Sequence, residues 1–266
     1  MMYGKVSVIL PNYNCGKFIG ETIESVIAQT YDDWELLIVD DCSSDCSVEI
    51  VKGYCEKDDR IKLYRHETNK GGAAARNLAL REASGRWVAF LDSDDLWLPQ
   101  KLEKQLRFMI DNNYRFCYTA YEQIDEEGRY SGVLVTGPKK VTERKMLRYC
   151  YPGCLTVVYD SSEIGTVQIP DEIGTGENDY ALWLRVCKHY TCYYFAEALS
   201  LYRVRGNSMS HKSSLFKLIG NHYKLFRISE KRGVIGAMLC VIRNLWYGFL
   251  KKRKYVKKRK RSVNAI

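Results

Sequence analysis

Residues 5–27 read KVSVILPNYNCGKFIGETIESVI, and this stretch decides the fold. Val6–Leu10 is a compact apolar run of the kind that forms a parallel strand covered on both faces. Pro11-Asn12-Tyr13-Asn14 interrupts it, and Phe18, Ile19, Thr22, Ile23, Val26 and Ile27 then recur at helical spacing. The same alternation continues: a strand over Glu35–Val39, a helix over Cys46–Cys55, a strand over Ile61–Tyr64, a helix over Gly72–Glu82 and a strand over Trp87–Leu91. Strands and helices alternating over short links are most economically joined as a parallel sheet with right-handed crossovers. Residues 1–110 therefore predict an α/β, doubly wound, Rossmann-like unit.

After Pro99 the rhythm changes. The pattern predicts a helix over 100–109, a strand over 116–124, a turn at Glu127-Gly128 and a helix over 142–150. A strand over 156–159, a helix over 178–187 and a strand over 193–204 follow. This mixed half is expected to complete the first sheet and frame a cleft rather than fold alone.

Composition narrows the classes. Of 266 residues, 46% are hydrophobic and 12% aromatic, which excludes disorder throughout. The net charge of +9 has one source: Lys251–Arg261, KKRKYVKKRKR, carries nine basic residues and no acid, which leaves a neutral body. A neutral body argues against a nucleic-acid partner, which would demand a basic, aromatic-studded face. The ten cysteines form no CxxC pair and sit singly in apolar runs such as Arg115-Phe116-Cys117-Tyr118. Cys42/Cys46 and Cys150/Cys154 lack the matching second pairs that zinc needs. With no signal-peptide pattern in MMYGKVSVIL, the expected compartment is the reducing cytoplasm.

In an open parallel sheet, ligands collect beyond the carboxyl ends of the strands. Those ends carry Pro11 to Asn14, Asp40 to Asp45, Asn69 to Gly72 (with Arg76 and Asn77 on the next helix), and Asp92-Ser93-Asp94-Asp95. Most of these suit turns or helix caps, and Ser44/Asp45 is expected to cap the helix that follows. Three carboxylates in four residues at a strand end repel one another unless a cation or donors relieve them. Hard oxygen ligands suit Mg²⁺ or Mn²⁺, which keep waters and share a substrate diphosphate. The chain has no GxxxxGK[ST] loop, no GxGxxG after the first strand and no GxSxG.

The segments VSVILPNYN, LLIVDDCSSD, NKGGAAARN, FLDSDDLW and ENDYALWLR, in this order between residues 5 and 205, resemble the successive motifs of family 2 inverting glycosyltransferases with the GT-A fold. The nearest look-alikes build bacterial capsule, exopolysaccharide or O-antigen. The resemblance implies transfer of a sugar from a nucleotide-sugar, normally a UDP-sugar, to a hydroxyl of a glycan or polyprenyl-diphosphate-linked acceptor, with Mn²⁺ or Mg²⁺. By the same resemblance Pro11, Asn12 and Tyr13 line the nucleotide pocket, Asp41 accepts from the base with Arg76 nearby, and Ser93 lies against the donor. Asp94 ligates the metal and Asp92 holds ribose or a metal water, while Asp95 supports them. Asp179 is the implied base, at the start of a helix continuing Tyr180-Ala181-Leu182-Trp183. Asn178 stands where the family's pair has Glu, and Glu177 lies one residue earlier. Arg203 or Arg205 is a possible diphosphate clamp, and Glu177 and Trp183 are possible acceptor contacts. The implied division is a glycosyltransferase domain over 1–210, with a nucleotide-binding half (1–110) and an acceptor-binding half (111–210), and a helical extension over 211–266.

From Gly233 to Leu250 the sequence reads as an amphipathic helix ahead of the basic run. Arg243, Gly236, Cys240, Gly233, Asn244, Gly248 and Tyr247 share one arc, opposite Val234, Met238, Val241, Leu245, Trp246 and Phe249. The expectation is a helix lying in an anionic inner leaflet rather than spanning it, which gives peripheral attachment at the inner face of the cell membrane. Packing on the domain is the competing reading. Two rival functions make different demands: a nucleotidyltransferase calls for a Gly-rich basic loop where uncharged Pro11–Asn14 stands, and a nucleic-acid binder calls for charge on the body.

Overall fold

The computed structural model describes residues 3–170, 173, 177–206 and 214–258. Its first half comprises β1 (Val6–Asn12), α1 (Ile19–Ile27), β2 (Trp34–Asp40), α2 (Ser47–Cys55), β3 (Ile61–Arg65), α3 (Gly72–Glu82) and β4 (Trp87–Phe90). The strands run parallel in the order β3-β2-β1-β4. The two-residue period of a strand divides the apolar run between two cores. Val6, Val8 and Leu10 join Leu36 and Ile38 on one face, and Ile9 joins Leu37, Val39 and Phe90 on the other. Burial on both faces is why these strands read as unbroken apolar runs. Strand order reverses between β1 and β4, so the crevice beyond their carboxyl ends lies between Asn12 and Asp92.

The second half completes the same sheet. It contributes β5 (Leu96–Trp97), α4 (Lys101–Asp111), β6 (Phe116–Ile124), β7 (Tyr130–Val135), β8 (Lys140–Val141), α5 (Glu143–Met146), β9 (Val157–Asp160), α6 (Asn178–Cys187) and β10 (Cys192–Arg203). β9 runs antiparallel to both β4 and β6, and β10 pairs in parallel with β6. The helix expected over 142–150 is cut to Glu143–Met146. Beyond it Tyr149 and Tyr151 pack edge to face, and Pro152-Gly153 leads into a short 3₁₀ turn.

Two further helices, α7 (Leu215–Ile228) and α8 (Val234–Tyr255), precede a last strand, β11 (Val256–Lys258), which pairs antiparallel with β7. They are part of the core: Leu225, Phe226, Ala237, Cys240 and Val241 pack in the cluster that holds α3 and α6. The inward face of α8 cuts across the two arcs read from the sequence: Ala237, Cys240, Val241 and Asn244 are buried, while Arg243 stays exposed. The arc of Cys240 and Asn244 turns inward, because small residues admit close approach. The missing Cβ of Gly248 would lie 3.0 Å from the Tyr149 ring. Most of the apolar arc turns outward, with Ile235, Leu239, Ile242, Trp246 and Phe249 all more than half exposed, while Val241 is buried. At 22 residues α8 is long and apolar enough to cross a membrane by length and composition, yet its inner face belongs to the protein core.

Candidate active site

At the end of β1, Asn12 is buried and donates to Asp40 (2.8 Å) and, at 3.3 Å, to Ser43. Pro11 is half-buried beside it, and Tyr13 projects at the rim, 53% exposed. The cap position of α2 is Cys46 rather than Ser44 or Asp45; Asp45, one residue before it, accepts from the Ser47 N–H at 3.0 Å and from Gly16 N–H at 2.7 Å. One side chain thereby starts α2 and holds the loop after β1. Asp41 is also engaged. It faces His66 Nδ1 at 2.7 Å and accepts from the N–H groups of Lys70 and Gly71 at 2.9 and 2.7 Å. Gly71 has φ +87°, a conformation that favours glycine, so Asp41 fixes the unusual turn that aims α3 at the crevice.

The acidic cluster after β4 is separated by role. Ser93 is buried, and its carbonyl accepts from the Thr22 hydroxyl at 3.1 Å. Asp92 keeps a third of its side chain exposed and pairs with Arg76 at 2.5 Å. Arg76 thus spends its guanidinium on Asp92 while lying beside Gly72, next to the turn held by Asp41. Asp94 pairs with Arg205 Nε at 2.7 Å, although that N–H makes no aligned hydrogen bond. Burial pushes the Asp94 carboxyl above its usual range; Arg205 pulls it back and Asp92 pushes it further. Asp95 is buried and accepts from the Arg203 N–H at 2.8 Å, while its second oxygen has no partner. Burial first, then Asp94 and Asp92, hold Asp95 well above the ordinary carboxylate range.

Asp179 opens α6 and accepts from the Tyr180 N–H at 2.8 Å. Burial raises its carboxyl, Arg76 and that N–H lower it, and Asp92 raises it again. Arg76 is held as a cation against the cost of burial chiefly by Asp92, with Asp179 contributing. One guanidinium thus lies in the field of both the cluster and the candidate base. Glu177, in the left-handed region at φ +54°, precedes the helix, and its carboxyl is pushed up to about 7 by burial and by Asp179. His222 of α7 lies 3.7 Å from it.

Two expected contacts are corrected. Trp183 is fully buried, edge-on to Phe90 at 4.9 Å and near Phe116, because α6 is enclosed along Tyr180–Leu184; it belongs to the core, not to an acceptor surface. Arg203 is also fully buried and spends its guanidinium within the chain. Nε donates to the Asp94 carbonyl at 2.9 Å, Nη1 to the Glu126 carbonyl at 3.0 Å, and Nη2 pairs with Glu21 at 2.6 Å. Arg205 alone of the two remains partly exposed beside Asp94. The sequence reading missed the site roles of Glu21, Thr22 and His66, whose partners Arg203, Ser93 and Asp41 lie far along the chain and leave no local pattern.

Among the described residues, no group of three or more His, Cys, Asp or Glu side chains forms a closed metal site. Asp92 and Asp94 fit a different kind of site. Their mutual repulsion, together with the unpartnered Asp95 oxygen behind them, suits a hard divalent cation that takes few protein oxygens and completes its shell with phosphates and water.

A Rossmann-like half-sheet with a crevice at its switch point and carboxylates beside it is the architecture of the GT-A sugar transferases, shared by the solved structure below. The comparisons agree. The profile "Glycosyl transferase family 2" matches residues 7–173. A Bacillus subtilis (strain 168) protein named for teichuronic acid biosynthesis, TuaG, is 39% identical over 238 residues, covering 89% of this chain and 93% of that one. An Escherichia coli UDP-Glc:alpha-D-GlcNAc-diphosphoundecaprenol beta-1,3-glucosyltransferase, WfgD, is 45% identical over 183 residues, covering 69% of this chain and 70% of that one. The crystal structure of S. aureus TarS 1–349 in complex with UDP-GlcNAc superposes with TM-score 0.69 at 21% identity, covering 92% of this chain and 73% of that chain. The chain belongs to glycosyl transferase family 2.

Proposed function

We propose that this glycosyltransferase moves a sugar from a UDP-sugar, with inversion, to a hydroxyl of a polyprenyl-diphosphate-linked glycan in the synthesis of a cell-surface polysaccharide. The observation that carries the assignment of roles is Arg76, 2.5 Å from Asp92 and in the field of Asp179. It ties the donor-side carboxylates to a carboxylate on the facing wall. The relatives' names support the donor nucleotide and the lipid-linked acceptor.

The chemistry follows from the residues. Pro11, Asn12, Tyr13 and the turn gripped by Asp41 form the nucleotide side of the crevice. Arg205 is the cation available to a diphosphate. Asp92 and Asp94 would hold Mg²⁺ or Mn²⁺, which supplies charge neutralisation for the departing nucleoside diphosphate. Asp179 takes the proton of the acceptor hydroxyl as the new C–O bond forms and the bond to the diphosphate breaks. Its raised carboxyl makes it a stronger base than an exposed aspartate, and Arg76 keeps it ionised enough to act. Release of UDP from a panel of UDP-sugars, with and without Mn²⁺ and with a lipid-linked acceptor, tests the reading. Acceptor-dependent release that Asp179→Asn abolishes supports it; equal release by that variant rejects it.

Peripheral membrane attachment is proposed on the outward arc of α8 and the exposed Lys252, Arg253, Lys257 and Lys258 that follow. An apolar face together with basic charge is the two-signal combination that holds a protein on an anionic bilayer. Trp246→Ser with Phe249→Ser leaves the inner face intact and is expected to move the enzyme from the membrane to the soluble fraction. Unchanged fractionation refutes the attachment.

A further inference from the structure

Away from the crevice, a cavity of about 770 Å³ opens between the start of β10, the end of α4, the segment after β7, and β11. Its lining on β10 runs from Tyr193 to Ala198, ten to five residues upstream of Arg203, which is roughly 15–30 Å along the strand from the acidic cluster. Tyr114, Tyr193, Tyr194 and Tyr255 supply aromatic surface, and Tyr114 stacks on Tyr193 with ring centroids 3.6 Å apart. Lys139, Lys254 and Lys257 line the same cavity, all three are exposed, and no carboxylate lines it. Further basic groups stand close by: Lys254, Arg148 and Lys140 add to burial in holding the Lys145 amine below its ordinary range. β11 closes one side through its pairing with β7, and the Thr136 N–H donates to the Tyr255 carbonyl at 2.8 Å.

We propose that this groove, lined by Tyr114, Tyr193, Tyr194 and Tyr255 and rimmed by Lys139, Lys254 and Lys257, is a second, non-catalytic binding site for an oligosaccharide that carries carboxylate or phosphate groups. Charge complementarity argues for the occupant. Among the described residues none of these three ammonium groups has a carboxylate partner, and Lys254 lies over the Tyr255 ring at 5.4 Å, an arrangement that calls for an anion whose body has apolar faces and hydroxyls. A pyranose ring offers C–H faces to aromatic rings and hydroxyls to the tyrosine O–H groups. A bilayer is flat and calls for a convex apolar surface, whereas this site is concave and mixes aromatic rings with amines. A nucleic acid draws on arginine for bidentate phosphate contact and base stacking, and the lining contains none. The inference rests on the proposed glycan chemistry for its biological sense, but its test does not use transfer activity.

The full chain is titrated calorimetrically at low salt with tetragalacturonate, with neutral maltotetraose, with phosphatidylglycerol vesicles and with a uridine-rich RNA oligonucleotide. Saturable binding of tetragalacturonate that exceeds maltotetraose, and weakens with salt, is expected. Lys139→Glu with Lys257→Glu should weaken it at least about tenfold while the basic run after Tyr255 is otherwise intact, and Lys139→Arg with Lys257→Arg should retain it. If the charge-reversed pair melts early, Lys139→Ala with Lys257→Ala takes its place. Equal binding of the acidic and neutral probes overturns the proposal. So does native-like binding by the charge-reversed variant, or saturation by vesicles or RNA that these substitutions abolish while tetragalacturonate does not bind. Failure of every UDP-sugar to turn over strikes the proposed function and leaves this test standing.

Discussion

Two groups of buried carboxylates around one sheet are treated in opposite ways. At the amino edge, Glu35 is buried and accepts from the Ser7 and Ser84 hydroxyls at 2.7 and 2.8 Å and from the Ser84 N–H at 2.8 Å, with Lys5 and Lys62 at 3.2 and 3.3 Å. These donors outweigh the cost of burial and hold it down to about 2. Asp160 on the same edge is buried against Arg86 and Arg115 at 2.9 and 2.6 Å, and its carboxyl is likewise lowered. At the carboxyl edge, Asp94, Asp95 and Asp179 are all raised, chiefly by burial. Satisfied carboxylates stabilise the fold, and strained ones are kept where a substrate or ion can relieve them. The lesson is that burial alone does not mark a functional acid; burial short of donors does.

That contrast can be broken by substitution. The largest effect is expected from Asp179→Asn, a fall in turnover of about 10²–10⁴-fold with the melting temperature unchanged or higher, read by UDP release and a thermal melt. Asp94→Asn should cost about 10²–10³-fold in rate and likewise leave stability intact or improved, since it removes a disfavoured charge. A drop in melting temperature in either variant would place these carboxylates with the structural ones. Glu35→Gln should do the reverse: a loss of about 2–3 kcal/mol by denaturant titration, with turnover per folded molecule preserved. The sign is fixed by the lowered carboxyl. Its contribution is complete above the unfolded value of 4.5 and is lost as pH falls towards about 2, so the variant should lose the part of the native protein's acid sensitivity that falls in that window. The smallest effect is a shift. Arg76 lowers the Asp179 carboxyl, so Arg76→Gln should move the acid limb of the rate profile upward, by about half to one pH unit. A downward shift would separate Arg76 from the base.

The parallel half was legible because burial on both faces writes itself into the chain as apolar runs such as Val6–Leu10 and Val88–Leu91. The acidic cluster was legible because its members are adjacent. Asp179 was visible through a helix start and a resemblance, not through its distance from Asp92, which no pattern encodes. Trp183 and Arg203 misled for a shared reason: both stand close in sequence to residues of the crevice wall, yet their side chains turn into the protein. On α8, hydrophobicity named the outward stripe, but not that Ala237, Cys240, Val241 and Asn244 would dock the opposite face on the core, because close packing selects small and complementary side chains that no apolar count marks.

The last helix is anchored twice, at its foot by Val256–Lys258 on the sheet and along its flank by Asn244, which donates to the hydroxyl of Tyr180, the neighbour of Asp179. Its outer stripe therefore keeps a constant bearing and stand-off from the base. Any surface that takes up the stripe sets the height at which a hydroxyl must be presented, and a mount without play of this kind works as a ruler.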